Sequence, residues 1–154
     1  MRKLSFRVVS IQTDVAEAAR RKAKAGVTNH QFVTADSPRG YPCRHCLQWA
    51  RPGESMVLFP FTSIAAGPYS ETGPIFIHAE PCQRYAETNQ FPSDFRQNRA
   101  IRAYNSQHEL IAAEVANEEE PEAVIARFLE KPETAFVHVR SASHGCYTME
   151  IQCQ

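Results

Sequence analysis

Gly40-Tyr41-Pro42-Cys43-Arg44-His45-Cys46 and, further along, Ile75-Phe76-Ile77-His78-Ala79-Glu80-Pro81-Cys82 place four soft ligand side chains in two pairs. Cys43 and Cys46 lie three positions apart, His78 and Cys82 four. A short loop can aim two side chains at one ion, and tetrahedral zinc sites are commonly built from two such pairs. Met56 to Phe61, between the pairs, is continuously apolar and β-prone and reads as a buried strand. Ile75 to His78 reads as another. If one ion joins both pairs, these two strands must be neighbours. Alternation then puts Phe76 and His78 on one face and Ile75 and Ile77 on the other, so the strand fixes the direction of His78.

Outward from this centre, Leu4 to Ile11 reads as a strand. A helix is expected over Val15–Ala25, capped by Thr13 or Asp14 and stopped by Gly26. Its apolar face is weak, which predicts light packing at the domain edge, and its basic end Arg20-Arg21-Lys22-Ala23-Lys24 reads as a solvated face. Gln31 to Ala35 is a short strand, and Asp36 to Gly40 is turn chemistry. Ser63 to Gly73 is expected to be a long loop of the kind that often carries function. Pro92 to Gln97 reads as one or two helical turns, and Ile101–Tyr104 with Leu110–Val115 as a hairpin around Asn105 to His108. Asn117 and Glu118-Glu119-Glu120 lead into a second helix whose buried face is Val124, Ile125, Phe128 and Leu129, ended by Pro132. Thr134–Arg140 and Cys146–Gln152 close the chain as two strands. About eight short strands and two main helices, without long crossover helices, predict an α+β fold with a mostly antiparallel sheet. At 154 residues, the chain is expected to form a single globular domain over 1–154.

Lys plus Arg and Asp plus Glu number 17 each, so the formal net charge is zero. That balance argues against nucleic acid as a partner. No apolar run approaches the roughly 20 residues of a membrane span, and the N-terminus does not read as a signal peptide. The expectation is a cytoplasmic protein, where five cysteines favour metal ligation or thiol chemistry over a disulfide frame. Partner and oligomeric state are left open.

Cys43, Cys46, His78 and Cys82 supply three thiolates and an imidazole, a complete set for tetrahedral zinc and, being closed, of the structural kind. Two alternatives are cysteines that merely pack and a redox pair. The redox reading ranks lower, since Pro42 before the pair and Pro52-Gly53 after it leave little room for the helix a thioredoxin-type motif opens. His45, inside the first pair, reads as a residue beside the ligands. The last hairpin offers a second group. Opposing Arg140 to Cys146 would bring His138, Arg140, Cys146 and Thr148 onto one face, with Val137, Val139, Tyr147 and Met149 on the core side. A thiol beside a guanidinium is acidified and reactive; a solvent-facing polar side of a sheet is the plainer reading. An enzyme acting on a small polar substrate is the rival function. Its pocket would draw on the Ser63–Gly73 loop and the last hairpin, with Arg44, His45, Tyr69, Glu71, Arg84, His138, Arg140 and Cys146 available to line it.

Three stretches together, Gly40 to Leu47, Gly67 to His78, and Phe136–Arg140 with Gly145-Cys146-Tyr147, resemble a bacterial family, domain-of-unknown-function family 1203. The resemblance implies a small stand-alone bacterial domain with no assigned activity.

Overall fold

Strand-forming segments dominate the chain, and they settle into two separate antiparallel sheets. The computed structural model describes residues 5–86, 88–117 and 120–154. In chain order the elements are β1 (Phe6–Val9), α1 (Thr13–Lys24), β2 (Gln31–Thr34), β3 (Ser55–Ile64), β4 (Glu71–His78), a single 3-10 turn (Ser93–Phe95), β5 (Arg99–Tyr104), β6 (Leu110–Ala116), α2 (Pro121–Leu129), β7 (Phe136–Ser141) and β8 (Tyr147–Cys153). The larger sheet has the order β1-β8-β7-β5-β6 and the smaller β2-β3-β4. Two helices and eight strands make the α+β fold that the sequence predicts. Leu4, Glu118 and Glu119, where the first strand and the acidic lead-in to the second helix were expected to begin, lie outside the described residues.

Helix α2 turns Val124, Ile125 and Phe128 onto the large sheet, where they join Ile101, Val137, Val139, Met149 and Ile151 in one core. Their spacing of one and four residues is the buried stripe of an amphipathic helix. Helix α1 lies on β3. It buries Ala16, Ala19 and Ala23, and with them Arg20, which was expected on a solvated face, beside Met56, Val57, Phe59, Ile75 and Ile77. The small alanines let the helix sit close to the sheet, so it is an integral layer and not a lightly packed edge. It also starts at Thr13, two residues earlier than expected, and no side chain caps it. The Thr13 hydroxyl is instead in contact with His45 Nε2, at 2.9 Å.

Two further expectations are corrected. The long loop shrinks to residues 65–70, because β3 runs on to Ile64 and β4 begins at Glu71. Pro60 faces Pro74 in the β3–β4 register, and both are exposed. Proline fits a strand where its missing N–H is not needed, so Pro60, Gly73 and Pro74 extend the hairpin instead of ending it. The β7–β8 register also differs from the one expected. Arg140 faces Tyr147, Val139 faces Met149 and His138 faces Glu150, with an irregularity that leaves Thr148 unpaired. That one-residue bulge moves Tyr147 to the face of His138 and Arg140, and it leaves Cys146 just outside the strand. This face is not solvated. His138 and Arg140 are buried: the small sheet covers Arg140 and Tyr147, with Phe61 on Tyr147 at a ring-centroid distance of 5.3 Å and Glu71 bound to Arg140, and the rings of Tyr104, Phe136 and Tyr147 surround His138.

Candidate metal centre

The first ligand pair sits on a turn docked against the free edge of β4. Cys43 bridges Phe76 in parallel fashion, and Arg44 N–H donates to the Phe76 carbonyl at 3.0 Å. Leu47 N–H closes the turn on the Cys43 carbonyl at 2.9 Å. Leu47 adopts a left-handed backbone, φ 56°, which a leucine avoids at a cost of about 1–2 kcal/mol; its side chain is buried in the large core. The turn brings Cys46 back towards Cys43. β4 delivers His78 at its last residue, and the irregular chain after it carries Cys82. β3 and β4 are neighbours, as expected, but the two pairs meet because the ligand turn docks on the opposite, free edge of β4.

The donor atoms of Cys43, Cys46, His78 and Cys82 all lie within 4.8 Å of one another. Cys43 Sγ and Cys82 Sγ are 3.8 Å apart, and Cys46 Sγ is 3.5 Å from His78 Nδ1. Zinc bonds near 2.3 Å to sulfur and 2.0–2.1 Å to nitrogen give tetrahedral edges of about 3.8 Å between sulfurs and about 3.5 Å between sulfur and nitrogen. The donor set therefore fits one metal ion. All five cysteines are free thiols.

Without an ion, so many donors at such range share protons unevenly. Hydrogen bonds with Cys46 and Cys82 hold the Cys43 thiol far below its usual range. The Cys46 thiol is pushed far up by its hydrogen bonds with Cys43 and Cys82. His78 is pushed up to about 10, chiefly by hydrogen bonding to Cys43 and Cys82. The upward shifts of Cys46 and His78 reflect in part the negative charge gathered on the neighbouring thiols, which a cation relieves.

The surroundings orient these groups. Arg20 is 8% exposed; its Nε donates to the His78 carbonyl at 2.9 Å, and its Nη2 to Cys82 Sγ at 3.5 Å. His45 Nδ1 is 3.1 Å from Cys82 Sγ, and burial lowers its pKa, favouring the neutral ring. A proton on Nδ1 satisfies this contact, leaving Nε2 to accept from Thr13. His78 N–H donates to Cys43 Sγ at 3.3 Å. On the outer side of its ring, His78 Nε2 lies 3.5 Å from Glu54 Oε1, the carboxylate–imidazole–metal arrangement that fixes a ligating histidine. Sequence reasoning missed Arg20 and Glu54. Arg20 lies four residues after Ala16 and three before Ala23, so it shares their buried stripe; that spacing was the available signal. Glu54 stood in a turn with nothing to mark it.

The other candidate residues separate into distinct places. Arg44 is buried, donating to the Tyr147 carbonyl at 2.8 Å and the Pro42 carbonyl at 2.9 Å, so it ties the ligand turn to the large sheet. Arg84 donates to the Ser10 and Ile11 carbonyls. Glu71 and Arg140 form a two-pronged ion pair. Together with Cys146, Tyr147 and Phe61 they line a cavity of about 190 Å³. His138 does not line it. It stacks among Tyr104, Phe136 and Tyr147 and meets Glu150 at 3.1 Å. Thr148 faces Arg99 at 3.4 Å. The four-residue cluster expected on the last hairpin is thus divided by the bulge. Tyr69 stands 45% exposed in the 65–70 loop, away from that lining. A larger cavity of about 550 Å³ lies beside the metal ligands, lined by Cys46, His78, Cys82, Trp49, Glu54 and Tyr85 among others. Among the described residues, no helix is long and apolar enough to cross a membrane.

No curated protein and no solved structure matches the chain. A family model described as protein of unknown function (DUF1203) matches residues 40–153. The match opens at Gly40, so it takes in all four ligands, the turn of Cys43 and Cys46, and β4, while Thr13 and Arg20 precede it. With most of its length matched by that model, the chain belongs to the DUF1203 family.

Proposed function

We propose that this is a zinc-binding protein in which Cys43, Cys46, His78 and Cys82 hold one ion in a closed tetrahedron that serves the fold. The observation that carries the reading is the agreement of the donor separations, 3.8 Å between sulfurs and 3.5 Å between sulfur and nitrogen, with the edges of a zinc tetrahedron. Three thiolates with one imidazole suit zinc better than the hard cations, which take oxygen ligands. Three thiolates against a doubly charged ion leave one negative charge, and Arg20 beside Cys82 is placed to balance it. The ion would join the ligand turn, the end of β4 and the irregular chain after it, which has no ladder of its own. With four protein ligands no position remains for water, so the ion would not act on a substrate. Thiolate ligands require a reducing compartment, consistent with a cytoplasmic location.

Elemental analysis of untagged protein tests this: about one zinc per chain is expected, and verified chelation should lower the melting temperature by several degrees or more. Absence of zinc, with the three thiols of Cys43, Cys46 and Cys82 reactive, rejects the proposal. X-ray absorption showing three protein ligands and a water would instead give the ion a reactive position and favour a metal-dependent enzyme on a small polar substrate.

A further inference from the structure

On the other side of Trp49 lies a second cavity, of about 420 Å³, lined by Arg39, Trp49, Asp94, Arg96, Arg99 and His144 among others. Three arginines and one carboxylate, Asp94, line it. Arg96 is held by Glu122 and Glu120. Asp94 accepts the Trp49 backbone N–H at 3.0 Å. Arg99 is different. It is 5% exposed and lies over the Phe95 ring at 5.6 Å, yet among the described residues its guanidinium hydrogen bonds are Nε to the Gln97 carbonyl at 2.9 Å and Nη1 to Thr148 Oγ1 at 3.4 Å. Among the described residues, Nη2 has no protein acceptor and no carboxylate pairs with the guanidinium. Buried cations are normally paired, because an uncompensated charge in a protein interior is costly. At the mouth, exposed Arg39 has no partner among the described residues.

We propose that this cavity binds the phosphate group of a small phosphomonoester, with Arg99 at its floor and Arg39 at its mouth. A guanidinium offers planar, paired donors that match phosphate oxygens, and an anion supplies the counter-charge that buried Arg99 lacks. The cavity is larger than a phosphate alone needs and falls in the usual range of small-molecule sites. Trp49 gives the rest of the ligand an aromatic wall: its indole N–H is taken by the Asp94 carbonyl at 2.9 Å. The site is separate from the four metal ligands, and the proposal stands whether or not they hold zinc.

Trp49 is the one tryptophan in the chain; it lines this cavity and the one beside the metal ligands, so its fluorescence detects binding and the Arg39 and Arg99 variants assign the change to this cavity. Zinc-loaded protein titrated with inorganic phosphate, at ionic strength held constant with chloride, should give a saturable change with half-saturation in about the millimolar range. Zinc content should be the same before and after. Arg39→Ala, a surface change that leaves the fold intact, should weaken binding about tenfold. Arg99→Gln should abolish it; if that variant does not fold, Arg39→Ala decides. Dimethyl phosphate and acetate, with one charge each, should bind more weakly than phosphate. No saturable change, an unaltered constant in Arg39→Ala, or acetate or the diester binding as well as phosphate overturns the proposal.

Discussion

Replacing Arg20 by methionine tests whether helix α1 tunes the metal centre or only packs against the sheet. Methionine keeps an unbranched stem and good helix propensity, so the alanine face of α1 should remain seated on β3. What disappears is the guanidinium: one donor to the His78 carbonyl at 2.9 Å and one to Cys82 Sγ at 3.5 Å. The carbonyl bond matters with or without the ion, and leaving a buried acceptor unpaired costs about 1–3 kcal/mol in either state. The sulfur contact matters mainly when Cys82 is a bound thiolate and the site carries excess negative charge. Loss of a group that supports a ligand typically lowers metal affinity 10–100-fold, about 1.4–2.8 kcal/mol. Arg20→Met should therefore destabilise the zinc-loaded protein more than the stripped protein, by that difference. Competition with a chromophoric chelator gives the affinity, and urea melts of both forms give the stabilities. Arg21→Met, on the exposed side of the same helix, is the control. Equal losses in the two forms, with an unchanged zinc affinity, would refute the assignment of Arg20 to the metal centre.

Other outcomes follow from the same geometry. His78→Ala should weaken zinc binding and Cys153→Ser should leave it unchanged, since Cys153 is exposed at the end of β8; the same chelator competition reads both. Glu71→Gln strips the buried Arg140 of its counter-charge and should cost about 2–3 kcal/mol in a urea melt, less than a fully buried pair because Glu71 reaches solvent. Phe128→Ala should cost about 3–5 kcal/mol by the same measure, as its ring is buried between α2 and the large sheet. Burial lowers the pKa of His138 against the opposing pull of Glu150. The unfolded chain then takes up the proton first, so this residue's contribution is full above its ordinary value of 6.5 and is lost as pH falls below it. The difference in stability between wild type and His138→Phe, measured from pH 7.5 to 5, should shift against the wild type as pH falls; a pH-independent difference would count against it.

Sequence alone determined the features that depend on short spacing. Cys43 with Cys46 and His78 with Cys82 could be paired on paper because a turn and a strand end each fix two side chains locally. The adjacency of the strands around Met56–Phe61 and Ile75–His78 was expected from requiring one ion to join the pairs, although the pairs meet at the opposite edge of β4, and Val124, Ile125 and Phe128 announced a buried helix face through the helical period. Gly73 and Pro74 misled, because they read as loop until the strand pairing showed Pro74 at a position where its missing N–H does not matter. Tertiary structure decided everything that depended on registration or on docking between distant segments. One bulged residue at Thr148 turned an expected polar cluster of His138, Arg140, Cys146 and Thr148 into separate environments, and the covering small sheet buried a face that alternation alone would leave in water. Arg20, His45 and Glu54 met the ligands only once α1, the ligand turn and the turn before β3 had packed together. Arg39 and Arg99 met in one cavity for the same reason. Local backbone geometry fixes which side chains point together within a few residues; which segments then meet is set by the packing of the whole chain, which no local pattern records.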